Sequence, residues 1–215
     1  ADAFAAHGYH VELPRLPGHG TSVDDMLTTS WADWTGEVEA AYQRLAARTA
    51  NIAVMGQSMG GSLTLWAGLE HADVKGLVLV NPATMTQPEE MVAMIREMVD
   101  DGITVVPGIG SDVADPDVVE IAYEGTPLAP LLSLQQDGVG PMESRYDELK
   151  MPVLLYTSRN DHVVPPENSE HLAATSGGEV EHVWLDQSFH VATQDYDRDT
   201  ITSGATDFIA RVTGA

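Results

Sequence analysis

The sequence predicts an α/β protein, with a mostly parallel sheet covered by helices on both faces. Three observations lead there. Short apolar runs alternate with stretches of helical periodicity to the end of the chain. The 215 residues carry 43% hydrophobic content, enough for one large core. One interval of roughly 65 residues, 83–146, joins two predicted strands that a single helix could have joined, so it reads as an insertion.

Taken in order, residues 1–6 read as the last turns of a helix, ended by His7 and Gly8, and 9–13 as a strand. Ser30 followed by Asp33 resembles a capping box, and Val38, Ala41, Tyr42 and Leu45 recur on one face, which predicts a helix over 31–48. The run 51–56 (NIAVMG), a helix over 63–70 and the run 76–81 (GLVLVN) then make strand, helix, strand. After the interval come a strand at 152–157 (PVLLYT), a helix following Pro166, a strand at 180–185 (VEHVWL) and a helix over 198–211. Within 83–146 a helix is expected at 88–99. The rest is rich in Gly and Pro and reads as loop. The division is therefore a core of 1–82 and 147–215 and a cap of 83–146.

Composition excludes several functions. Ten Lys plus Arg against 33 Asp plus Glu give a formal charge of −23, which leaves too few cations for a nucleic-acid surface and disfavours anionic membranes. No apolar run approaches the roughly 20 residues of a spanning helix, so stable membrane insertion is not expected. Without cysteine there can be no disulfide, thiolate metal site or cysteine nucleophile. The first residues, ADAFAAHGYHVEL, begin mid-pattern and carry no signal-peptide regions. The expected location is the cytoplasm, with any targeting segment hidden upstream.

Gly56-Gln57-Ser58-Met59-Gly60 fits G-x-S-x-G and lies between a predicted strand and a predicted helix, the context a nucleophile elbow needs. In such a strained turn, the residues two before and two after the serine are expected to be nearly free of side chain, as Gly56 and Gly60 are. The Met59 N–H and the helix N-terminus face the place where an oxyanion would develop. A serine hydroxyl needs a base, and the base an orienting acid. Asp161 follows the PVLLYT strand and His190 follows the VEHVWL strand, so both would reach the carboxyl edge of the sheet. Asp186, which precedes His190 in the same loop, is the competing acid. His7 and His10 lack a carboxylate or cysteine partner at ligand spacing, so no metal site is expected, and His19, His71, His162, His171 and His182 read as loop or surface residues.

The chain resembles the α/β-hydrolase superfamily, and within it the bacterial carboxylesterases and monoacylglycerol lipases. The features that carry the resemblance are the elbow, Leu16-Pro17-Gly18-His19-Gly20, the helix start Trp31-Ala32-Asp33-Trp34, and the order Ser58, Asp161, His190. It implies an α/β-hydrolase fold with a cap insertion, Ser58 as nucleophile, His190 as base and acid, Asp161 as orienting acid and the Met59 N–H as one oxyanion donor. The reaction implied is hydrolysis of short to medium acyl esters, with monoacylglycerols as one candidate substrate, through an acyl-serine, with no cofactor. Acyl transfer, thioester or amide hydrolysis, and a non-catalytic scaffold are the alternatives. The partner is a small-molecule ester, and oligomeric state is left open. The family's His-Gly-aromatic loop, source of the second oxyanion donor, has no counterpart here. N-terminal strands are therefore expected to be missing from this chain, on the order of 30 to 45 residues upstream of Ala1. On the predicted cap helix Met91, Met94, Ile95 and Met98 form a stripe at spacings of three and four. Such a stripe suits an acyl chain, or merely packs the cap onto the body.

Overall fold

In the computed structural model, which describes residues 1–214, the elements follow the expected alternation. They are α1 (Asp2–Ala6), α2 (Val23–Met26), α3 (Trp31–Ala46), β1 (Ala53–Gln57), α4 (Met59–Glu70) and β2 (Gly76–Val80). There follow α5 (Glu89–Asp100), β3 (Val105–Pro107), β4 (Gly125–Pro127), α6 (Leu128–Ser133) and α7 (Gly140–Glu143). The chain closes with β5 (Val153–Ser158), α8 (Glu167–Thr175), β6 (Val180–Leu185) and α9 (Arg198–Thr213). Among the described residues no helix is long and apolar enough to cross a membrane.

The main sheet has the order β1-β2-β5-β6 with every pair parallel. Its two central strands are buried along their whole length, as their unbroken apolar sequences require. Alternation of side chains sorts the core into two layers. Leu77, Leu79, Val153 and Leu155 pack with Trp34 and Tyr42 of α3, Leu63 and Leu65 of α4 and Leu172 of α8. Val78, Val80, Leu154 and Tyr156 pack with Ile201, Ala205 and Phe208 of α9. The capping box at α3 is present: the Ser30 N–H and hydroxyl donate to Asp33 Oδ2 at 2.9 and 2.7 Å.

Two expectations need correction. Residues 9–13 are extended but join no ladder. A strand exists only through a neighbour's backbone groups, and a groove of about 230 Å³ lined by Tyr9, Val11, Ile52, Ala53 and Met55 lies between this segment and β1. The interval between β2 and β5 is also more regular than its Gly and Pro content suggested. It holds the antiparallel pair β3–β4 and a helical run from α6 through a π-helical stretch, Leu134–Val139, into α7. Strands of three residues are too short to show a period.

On β6, the His182 ring lies 2.8 Å from Thr157 Oγ1 and is not the surface residue expected. Burial pushes its pKa below 6.5, Arg159 adding to the effect and Glu170 opposing it. A depressed folded pKa means that the unfolded chain binds the proton more readily, so stability falls as pH drops through this window. The melting temperature should decline between pH 7 and 5, and His182→Gln should flatten that slope. Equal slopes in both proteins would remove His182 as the cause.

Candidate active site

The site is built where β1, β5 and β6 end. Ser58, between β1 and α4, has φ 54° and ψ −122°, a conformation L-residues avoid and the mark of a strained elbow. Its N–H donates to Val80 O at 3.0 Å, tying the turn to β2. A Cβ on Gly56 would fall onto the Gly60 carbonyl, and one on Gly61 would come within 2.6 Å of Pro82. Gly60 itself faces open space, so the steric demand expected there belongs to Gly56 and Gly61. Met59 opens α4, and the first N–H groups of a helix have no intrahelical acceptor.

Asp161 and His190 meet, although 29 positions separate them. His190 Nδ1 donates to Asp161 Oδ2 at 2.8 Å, with side chains 8% and 1% exposed. A carboxylate can only accept, so Nδ1 carries a proton, and in the neutral imidazole Nε2 is then the nitrogen with the lone pair. Asp161 Oδ1 accepts from the Val163 and Val164 N–H groups, both at 2.8 Å, which fixes the carboxylate's orientation. The competing Asp186 is 74% exposed and pairs with Arg159 at 2.7 Å, turned away from this partnership. No hydrogen bond joins Ser58 Oγ to His190 among the described residues. Such catalytic bonds are often long until substrate is bound.

Several residues that the sequence did not single out hold the histidine loop. Asn81, buried with φ 45°, donates to Ser158 Oγ at 3.0 Å and to His190 O at 2.8 Å. Ser158 Oγ in turn donates to Phe189 O at 2.7 Å. Asp197 accepts from the Gln187 and Ser188 N–H groups and from the Ser188 hydroxyl. Asp112, from the interval, accepts from the His162 ring at 2.7 Å and from His190 N–H at 3.0 Å. Burial alone would raise the Asp112 carboxyl, but these bonds and the His162 N–H outweigh it and hold it below the usual carboxylate range. The visible signal was weak. Asn81 is one of several polar residues at the end of an apolar strand, and Asp112 is one acid among many.

The methionines do not converge on this site. Met91 and Met94 are exposed, and Ile95 is the buried residue of α5, with Val92, Met98 and Val99 half-buried. A cavity of about 240 Å³ beside His190 is lined instead by Ile109, Tyr123, Pro127, Val163 and Val191. The stripe 92, 95, 99 has the same spacing as 91, 94, 98 and lies about 100° away on the helix, so periodicity alone could not choose between them. Of the other histidines, His7 bonds Ala3 O, His10 meets Arg48, His19 meets Pro17 O, and His71 stacks on Tyr42 while bonding Glu39. His171, expected at the surface, is half-buried, and its Nε2, 3.9 Å from Glu143, has no hydrogen bond among the described residues.

A family model described as the alpha/beta hydrolase family matches residues 1–200. The chain belongs to that family. It is 41% identical over 217 residues to a thermostable monoacylglycerol lipase of Bacillus sp. (strain H-257), covering 100% of this chain and 84% of that protein. To a carboxylesterase of Bacillus subtilis (strain 168) it is 24% identical over 209 residues, covering 95% and 82%. Among solved structures, one from work on LipS and LipT, two metagenome-derived lipolytic enzymes, superposes with a TM-score of 0.91 at 36% identity, covering 98% of this chain and 86% of that one. The monoacylglycerol lipase of Paleococcus ferrophilus, at 16% identity and TM-score 0.69 over 85% and 76% of the two chains, shares the hydrolase fold.

Proposed function

We propose that this α/β hydrolase is a lipase-like carboxylesterase that cleaves short to medium acyl esters, monoacylglycerols included, through an acyl-enzyme on Ser58. The observation that carries the proposal is the paired His190 and Asp161 at the same edge of the parallel sheet as a serine in a strained strand-to-helix turn. A scaffold used only for binding has no need of a buried, oriented histidine with a free Nε2. His190 takes the Ser58 proton as the hydroxyl attacks the ester carbonyl, then returns it to the leaving alcohol. Water, activated the same way, releases the acid. Asp161 holds the imidazole in the tautomer this requires and stabilises the cation that forms. The Met59 N–H supplies one donor to the oxyanion. The relatives named lipase and esterase support this substrate class.

The interval 83–146 serves as the cap, since Gly108, Ile109, Tyr123 and Pro127 line the cavity beside His190. That cavity, and not the exposed Met91 and Met94, is the acyl pocket in this proposal. Each buried methylene contributes about 0.8 kcal/mol, so kcat/KM should rise roughly fourfold per added carbon until the pocket is filled. A p-nitrophenyl ester series, with fluorophosphonate labelling mapped to a peptide, tests both parts. Label on Ser58 is expected. Val163→Trp should shift the optimum to shorter chains, and Met94→Ser should leave it in place. The reverse pattern would return the acyl chain to α5, and labelling elsewhere would end the Ser58 assignment.

A further inference from the structure

The segment 112–115 of the interval is bonded to the histidine loop at both of its ends. Asp112 Oδ2 accepts from the His190 N–H at 3.0 Å and from the His162 N–H at 3.2 Å, while Oδ1 accepts from the His162 ring at 2.7 Å. The Val191 N–H donates to Asp112 O at 3.1 Å. Three residues later the roles reverse. The Ala114 and Asp115 N–H groups donate to Asp195 at 2.7 and 3.0 Å, and the same carboxylate accepts from the Phe189 N–H at 2.9 Å. Asp195 is fully buried and Asp112 is 8% exposed. One carboxylate of the interval thus joins the loop that carries Asp161 to the loop that carries His190, across separations of 50 and 78 residues.

We propose that Asp112 is a positioning residue that locks the His190 and Asp161 loops to each other through the cap, so that a docked cap is a condition for full turnover and not merely a roof over the pocket. This rests on the esterase reading. Asp112 borders the cavity beside His190, but its carboxylate is engaged by the His162 and His190 N–H groups and the His162 ring, so it acts through the residues it holds. The physical argument is rigidity. The His190 ring is aligned by one bond to Asp161, and Asp161 is aligned by the backbone of 163 and 164. Asn81 and Ser158 hold the carbonyl side of residues 189 and 190 to the end of β5, and Asp112 adds the link that joins the His190 N–H to the His162 N–H. Displacement of a catalytic group by about 1 Å is enough to cost a hundredfold.

The experiment compares Asp112→Ala and Asp112→Asn in the full chain, with rates taken per folded molecule from near-ultraviolet circular dichroism. Asp112→Ala deletes the three side-chain bonds but keeps the Val191 bond, so it should fold. Its kcat on p-nitrophenyl butyrate should drop about 10- to 100-fold with KM within about threefold. Asp112→Asn retains an oxygen for the two backbone N–H groups and should recover most of that loss. An alanine variant whose melting temperature falls while kcat per folded molecule stays within twofold overturns the proposal and leaves Asp112 purely structural. So does an asparagine variant as slow as the alanine one, or an alanine variant that changes KM alone. Ser58→Ala is run alongside, since its failure to abolish hydrolysis would refute the esterase reading independently of Asp112.

Discussion

Replacing Ser58 or His190 by alanine should remove nearly all ester hydrolysis, with kcat down on the order of 10⁴- to 10⁶-fold, because nucleophile and base work as one unit. The two variants should differ in stability. Ser58 already occupies φ 54°, and alanine there bears the same backbone strain, so Ser58→Ala should melt as the parent does. His190→Ala strips a partner from an Asp161 side chain that is only 1% exposed. A buried carboxylate oxygen left without its donor costs about 1–3 kcal/mol, so this variant should melt several degrees lower. Its backbone stays tied through Asp112 and Asn81, which keeps the loop in place. Steady-state rates on a p-nitrophenyl ester and thermal melts read both effects. Residual activity above about one part in a thousand in both variants would contradict the mechanism.

Asp161→Asn should reduce kcat by about 10⁴-fold with only modest loss of fold. The amide oxygen can still accept from the Val163 and Val164 N–H groups, which turns its NH₂ toward His190 Nδ1. That nitrogen must then be unprotonated, so Nε2 carries the proton and cannot take one from Ser58. Asp186→Asn is the matched control. Its carboxylate is 74% exposed and makes one ion pair with Arg159, an interaction of the kind that contributes little at the surface. Activity within about twofold of the parent is expected. Should the control lose turnover while Asp161→Asn keeps it, the acid belongs to Asp186.

Much of the active site was open to inference from residue order. An apolar strand running into G-x-S-x-G and then into a helix leaves the chain one sharp turn to make, which is why Ser58 could be named before any coordinates. Asp161 and His190 each follow a predicted strand, and strands of a parallel sheet deliver such residues to one edge. Asp161 was named from its place after a strand and from the resemblance, with Asp186 as the competing acid. Both precede His190, and the fold pairs Asp161 with it while leaving Asp186 exposed on Arg159.

The sequence by itself determined the α/β alternation, the parallel sheet and the placing of Ser58 and His190 at strand ends, because these follow from local periodicity and from steric rules acting within a few residues. The tertiary structure alone decided the rest. It left residues 9–13 without a ladder, since strand pairing is a property of two segments and not of one. It turned Ile95 inward and Met91 and Met94 outward, since two stripes of equal spacing coexist on α5 and only the neighbouring surface selects between them. And it brought Asp112 to the two catalytic loops, an arrangement no spacing could announce, because a carboxylate among 33 acids becomes distinctive only when the backbone N–H groups it must satisfy are folded around it.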